Sequence, residues 1–136
     1  MKLYLAHPFD SRHSIREWEL ITEVKFELEL VNPFYDLGRS DVDPIDDGRH
    51  ERYERLDPEA LVSRDIEAIG NSDGVIAFVN GELSYGTIME VVYAHLLNLP
   101  VYAVVTNGHH DHPWLRYHAT EIFKTVQELE NHLCAL

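Results

Sequence analysis

Between Ser72 and Val105 the chain reads SDGVIAFVNGELSYGTIMEVVYAHLLNLPVYAVV, and the pattern of apolar and polar positions changes period twice along it. An Asp-Gly turn opens onto the apolar run Val75 to Val79, which breaks at Asn80 and Gly81. Past the loop to Gly86, the residues Ile88, Met89, Val91, Val92, Leu96 and Leu97 recur at helical spacing. Leu99-Pro100 ends that helix before a second apolar run, Val101 to Val105. Strand, crossover helix and strand in this order predict two buried parallel strands of an α/β sheet joined by a right-handed crossover. Open α/β sheets bind ligands in the crevice outside the carboxyl ends of their strands. The loop at that end holds Ser84, Gly86 and Thr87, and the pattern puts Glu90 in the first turn of the following helix.

The flanking segments extend this unit. Lys2 to Ala6 is a short apolar run stopped by His7-Pro8 and is read as the first, central strand. From Asp10 to Glu27, Ile15, Trp18, Ile21, Thr22 and Lys25-Phe26 fall near a period of three to four, a crossover helix with Ser11 or Ser14 as N-cap. Leu28 to Asn32 resumes strand character, and Pro33 closes it. From Asp36 to Asp57 the pattern dissolves into Asp, Gly and Arg with few apolar anchors. Such a stretch is either a lid or binding loop, or a solvated acidic loop with a short helix near Arg49 to Arg55. Pro58 then fits the first turn of a helix capped by Asp57, with Leu61, Val62, Ile66 and Ile69 on one face and Asp65 beside Arg64 near its middle. Thr106 to Thr120 is read as an aromatic, histidine-rich loop, Glu121 to Phe123 as a fifth strand, and Val126 to Leu133 as a final helix. These elements make one α/β domain over residues 1 to 136, a parallel five-stranded sheet with helices on both faces.

Composition narrows the partners. A formal net charge of −13 argues against a nucleic-acid polymer, which requires a basic surface. A small anionic ligand needs only a helix N-terminus and one arginine, so it stays open. No apolar run approaches the ~20 residues of a membrane span, and Met1 leads directly into a strand rather than into a secretory signal. A single cysteine, Cys134, allows no intrachain disulfide, and the expected compartment is a reducing cytoplasm.

Candidate chemistry centres on Glu90. A first-turn glutamate is ordinarily a solvated group favoured by the helix dipole. Gly86-Thr87 ahead of it, at the sheet's carboxyl edge, opens the backbone to a ligand and lifts Glu90 above that reading. Asp65 is either a solvated charge beside Arg64 or the second of two carboxylates for substitution at an anomeric carbon. Ser11, Arg12 and His13 at the start of the first helix read as N-capping or as an anion site, with no Gly-rich phosphate loop. His109, His110, His112 and His118 do not match the spacing of a closed zinc site, so no metal is expected. Trp114, Arg116 and Tyr117 are candidates for a lid or a subunit contact, or for a loop folded on its own core.

KLYLAHPF at the start, RDIEAIGNSDGVIAFV in the middle and SYGTIMEVVYAHLLNLPVY after it together resemble the nucleoside 2-deoxyribosyltransferase family. The resemblance spans roughly the first 35 residues and residues 58 to 105. It implies a flavodoxin-like (Rossmann-like) three-layer sandwich, and cleavage of the N-glycosidic bond of a deoxynucleoside or deoxynucleotide without a cofactor. It also implies a nucleophile at Glu90, an assisting carboxylate at Asp65, and Tyr4 orienting the nucleophile. Candidate substrate-binding residues are His7, Phe9, Ser11, Arg12, Ser84, Gly86 and Thr87, and a homodimer or larger homo-oligomer is implied. Where members acting on free nucleosides carry aspartate in D-x-G-x-x-x-E, this chain has Ser84, similar to the related deoxynucleoside 5′-monophosphate N-glycosidases. A hydroxyl can donate to a phosphate that a carboxylate would repel, which favours a nucleotide. Val92 stands where a glycine often follows the glutamate by two.

Three functions of different class follow. An N-glycosidase or transferase releases or exchanges a base, a nucleotide-binding module of the same fold binds without release, and an interaction domain does neither.

Overall fold

A computed structural model describes residues 1–37, 57–81 and 84–136. Five short apolar runs become the strands β1 (Lys2–Ala6), β2 (Glu29–Val31), β3 (Gly74–Val79), β4 (Val101–Val105) and β5 (Glu121–Phe123). All neighbours pair in parallel, in the order β2-β1-β3-β4-β5. This is the flavodoxin-like order, with its switch point between β1 and β3. β3 therefore holds the centre, and the first strand, expected there, lies one place to its side.

Side chains alternate across the pleat, so each strand feeds two cores. Leu3, Leu5, Ile76, Phe78, Tyr102 and Val104 face a layer made by α1 (Arg12–Phe26) and α5 (Val126–Cys134), through Ile15, Leu129 and Leu133. Tyr4, Ala6, Val75, Ala77 and Val101 face the other layer, where α2 (Pro58–Gly70) contributes Ile69 and α3 (Tyr85–Leu96) contributes Val91 and Ala94. Leu115 of α4 (Pro113–His118) covers Ala103 and Val105. A slip of one residue in β1 would send Tyr4 to the wrong layer. Gly74 is dictated by crowding, since a Cβ there would stand 3.0 Å from the carbonyl oxygen of Pro100.

Helix starts follow local chemistry with one exception. The Asp57 side chain accepts from the backbone N–H groups of Glu59 and Ala60 ahead of Pro58, as expected. Thr125 caps α5 in the same way. Ser11 occupies the N-cap position of α1, as one of the two expectations had it, but its side chain makes no capping hydrogen bond. A 3-10 turn over Phe9–Ser11 leads into the helix, the Ser11 hydroxyl donates back to the Pro8 carbonyl, and Ser14 lies inside the helix, donating to the Ser11 carbonyl.

The faces of α3 and α2, and one loop, differ from the periodic reading. On α3 the buried positions are Thr87, Val91 and Ala94, while Met89 is 60% exposed and Leu96 and Leu97 also face outward. On α2, Val62 is 47% exposed, and the inward row runs Leu61, Asp65, Ile69 at four-residue steps. The loop expected over Thr106 to Thr120 contains α4, because Pro113 is set for a first helical turn and His112 accepts from the Trp114 N–H as its cap. The short helix expected near Arg49 to Arg55 lies outside the described residues, as does most of the acidic stretch. Among the described residues no helix is long and apolar enough to cross a membrane.

Candidate active site

The pleat aims Tyr4 from β1 toward α2 and α3, where its hydroxyl donates a hydrogen bond to Glu90 Oε2. Ser84 is the N-cap of α3, so Glu90 falls in the second turn of that helix rather than the first. Dipole stabilisation fades beyond the first turn, and the environment of Glu90 works the other way. Burial of its carboxyl is the main reason its pKa is pushed up to about 8, with the Tyr4 hydrogen bond opposing the rise and the Asp65 charge adding to it. Tyr4 is itself fully buried, and burial together with the neighbouring Glu90 and Asp65 charges raises its pKa far above the usual phenol range. Its O–H is therefore a permanent donor.

Asp65 reaches this cluster from the inward row of α2, its side chain only 20% exposed, with Oδ1 3.5 Å from Arg64 Nε. The structure thus brings Tyr4, Asp65 and Glu90 together, and Arg64 with them, since its charge acts on Tyr4. A signal in the sequence pointed there: a carboxylate four residues after Leu61 and four before Ile69 sits on a core-facing stripe. Arg64, treated from sequence only as a neighbour of Asp65, had no such signal.

The candidate substrate-binding residues divide into two groups. His7 is buried, its Nε2 3.1 Å from Asn32 Oδ1 and its ring packed on Phe34. Burial lowers its pKa to about 4, so the ring is neutral at ordinary pH. Phe9 lies under the Arg12 guanidinium at 3.7 Å, Arg12 Nη1 donates to the Phe9 carbonyl, and Ser11 bonds to Pro8. The second group is at the start of α3. Ser84 Oγ accepts from the Thr87 N–H at 3.4 Å and from the Thr87 hydroxyl at 3.0 Å. Gly86 is exposed, and the space where a side chain would stand is open.

A cavity of about 510 Å³ lies on the other flank of α3, between that helix, the ends of β3 and β4, and α4. Its walls include Ser84, Thr87, Val91, Asn107, Trp114 and His118, and neither Glu90 nor Tyr4 nor Asp65 borders it. The perturbed titration of the carboxylate cluster makes it the candidate for chemistry, while Ser84 and Thr87 at the start of α3 border the cavity. Two histidines of the segment Thr106 to Thr120 have structural roles. His112 caps α4, and His118 stacks on Trp114 while its Nδ1 lies 2.7 Å from the Trp114 carbonyl. Among the described residues no group of three or more His, Cys, Asp or Glu side chains could hold a metal ion.

No protein-family model matches the chain and no curated protein matches it. Solved structures do. A 2-deoxyribosyltransferase from the psychrotolerant bacterium Bacillus psychrosaccharolyticus superposes with a TM-score of 0.71 at 17% identity, over 96% of this chain and 91% of that one. A conserved protein from Enterococcus faecalis matches with a TM-score of 0.67 at 16% identity, over 98% and 96%. A CMP N-glycosidase from Clostridium botulinum matches with a TM-score of 0.61 at 16% identity, over 98% and 97%. The five-stranded parallel sandwich built above is thus the fold of a 2-deoxyribosyltransferase, shared along nearly the whole chain.

Proposed function

We propose that the protein is a member of the nucleoside 2-deoxyribosyltransferase family that cleaves the N-glycosidic bond of a 2′-deoxynucleoside or its 5′-monophosphate and passes the deoxyribosyl group to another base or to water. The observation that carries this is the partly buried Glu90 carboxyl held by the Tyr4 hydroxyl with Asp65 beside it. The shared fold with a deoxyribosyltransferase and an N-glycosidase supports it.

In this reading the ionised Glu90 attacks the anomeric carbon through an oxocarbenium-like transition state. The C–N bond breaks, its electron pair leaves with the base, and the base takes up one proton with Asp65 assisting. A deoxyribosyl ester of Glu90 results, and water or a second base displaces the carboxylate from the sugar. Without a 2-hydroxyl, nothing electron-withdrawing at that carbon opposes the developing positive charge. Ser84 supports a monophosphate, because its oxygen accepts both Thr87 bonds and its own O–H remains available to donate to a phosphate oxygen. The homo-oligomer belongs to the same reading, with the outward row Tyr85, Met89, Tyr93 and Leu96 of α3 as an uncharged surface on an otherwise acidic chain.

A chromatographic screen of the deoxynucleosides and their 5′-monophosphates, with and without an added acceptor base, tests the proposal. Base release or exchange is expected. Calorimetric binding with no released base would reduce the protein to a binding module.

The pH dependence tests the role of Tyr4. The folded-state pKa of Glu90 lies above its ordinary value, so the reactive carboxylate appears only as pH rises toward about 8, and kcat/KM should climb through that region. The Tyr4 hydrogen bond holds that pKa down, so Tyr4→Phe should move the midpoint of the kcat/KM profile to higher pH, with a larger loss at pH 7 than at pH 9. A midpoint that stays put or falls would remove Tyr4 from control of the nucleophile.

A further inference from the structure

One partly buried group beside the cluster takes no part in that chemistry. Arg64 Nη1 donates to the Leu37 carbonyl at 3.3 Å, but its Nε and Nη2 are shut off from water and have no hydrogen-bond partner among the described residues. Asp65 Oδ1 lies 3.5 Å from Nε, close enough for charge attraction but outside hydrogen-bonding geometry. Leaving dry donors of a permanent cation unpaired destabilises a fold. Such groups persist in native proteins where something else completes them.

The two idle donors are not a random pair. Nε–H and the adjacent Nη2–H project from the same edge of the planar guanidinium and form a parallel fork. The Nε end of that edge lies 3.5 Å from Asp65 Oδ1, and Arg64 is close enough that its charge acts on the Tyr4 hydroxyl. A fork of this kind selects two adjacent acceptor atoms in one plane, as arginine does with the O6 and N7 atoms of guanine.

We propose that Arg64 is a specificity-determining residue whose Nε/Nη2 fork receives two adjacent acceptors of the substrate's nucleobase, either O2 and N3 of cytosine or O6 and N7 of guanine. The inference rests on the glycosidase or transferase reading above. A phosphate on the same fork would be pressed against the Asp65 carboxylate, which stands 3.5 Å from Nε, whereas neutral ring acceptors meet no such repulsion. Thymine separates its two carbonyls with an N–H, and adenine flanks each ring acceptor with a donor or a carbon, so neither presents an adjacent acceptor pair.

The test compares kcat/KM for the four deoxynucleosides, and calorimetric binding of free cytosine, guanine, adenine and thymine, in the wild type, Arg64→Met and Arg64→Lys. The wild type should prefer cytosine or guanine on the order of 10- to 100-fold, and the favoured one identifies the source of the acceptor pair. Arg64→Met should erase the preference, and Arg64→Lys, which restores charge without the fork, should not recover it. An unchanged preference in Arg64→Met, or full recovery in Arg64→Lys, would make Arg64 a structural partner of Asp65 and Leu37 and overturn the proposal. A wild type that binds free bases with this preference, lost in Arg64→Met, but turns nothing over would sink the catalytic reading and keep the fork. Absence of both binding and turnover sinks both. Should neither variant fold, the wild-type preference decides alone, and indifference to the base overturns the proposal.

Discussion

Glu90→Gln should lower base release on the order of a thousandfold or more, because the amide has the shape of the carboxyl and none of its nucleophilicity. The fold should survive. Glutamine keeps an oxygen for the Tyr4 hydroxyl and needs no charge in a site whose burial already disfavours one. A control with a definite sign accompanies the assay. The pKa of Glu90 is about 8 in the folded state against an ordinary 4.5, so the folded protein binds more protons between those values and loses stability as pH rises through that window. The variant lacks this loss. Thermal melts at pH 5 and pH 9 should therefore show the wild type giving up more stability than Glu90→Gln over the same range. Retained base release in a folded Glu90→Gln protein would end the assignment of the nucleophile, whatever the fold shares with known transferases.

Ile76→Ala should produce the largest loss of stability. Ile76 has no exposed surface and lies mid-strand in β3, paired with Leu5 on one side and Tyr102 on the other, under the layer of α1 and α5. Removing its branched side chain forfeits burial and leaves a cavity that a sheet centre cannot close, a loss of about 2–5 kcal/mol. Against a total of roughly 5–15 kcal/mol, that is a large share. Urea unfolding should show a lower midpoint with an unchanged slope. Val24 on α1, 81% exposed, is the matched control, and Val24→Ala should stay within about 0.5 kcal/mol. Equal effects at the two positions would mean that the central core is not where the strand pairing places it.

The strands and the long helices were legible from the chain because each carries a period that only one secondary structure satisfies. Continuous apolar runs at Val75 to Val79 and Val101 to Val105 had to be buried on both faces, and a turn residue bounded each. Caps were legible where a side chain and a proline acted together, at Asp57-Pro58. The six residues of α4 are too few for a periodic signal, and its only marks were His112 and Pro113 in a stretch dominated by aromatic and basic side chains. The buried face of α3 is not legible from spacing for a related reason. Apolar residues at Met89, Leu96 and Leu97 satisfy helical spacing whether they meet the sheet or solvent, and periodicity alone does not choose between them.

The sequence by itself determined the α/β class and the parallel sheet, since these follow from local apolar periods and the handedness of the crossover. It also singled out Tyr4, Asp65 and Glu90, through the resemblance, as residues of one site. Only the tertiary structure decided that they meet and in what state. The alternation of β1 turns Tyr4 onto Glu90, the inward row of α2 delivers Asp65, and the enclosure raises the glutamate's pKa. Only packing, too, showed that Arg64 holds two idle donors beside them. Desolvation and unpaired hydrogen bonds depend on what surrounds a group in space, and residues separated by more than eighty positions are neighbours only once the sheet has formed.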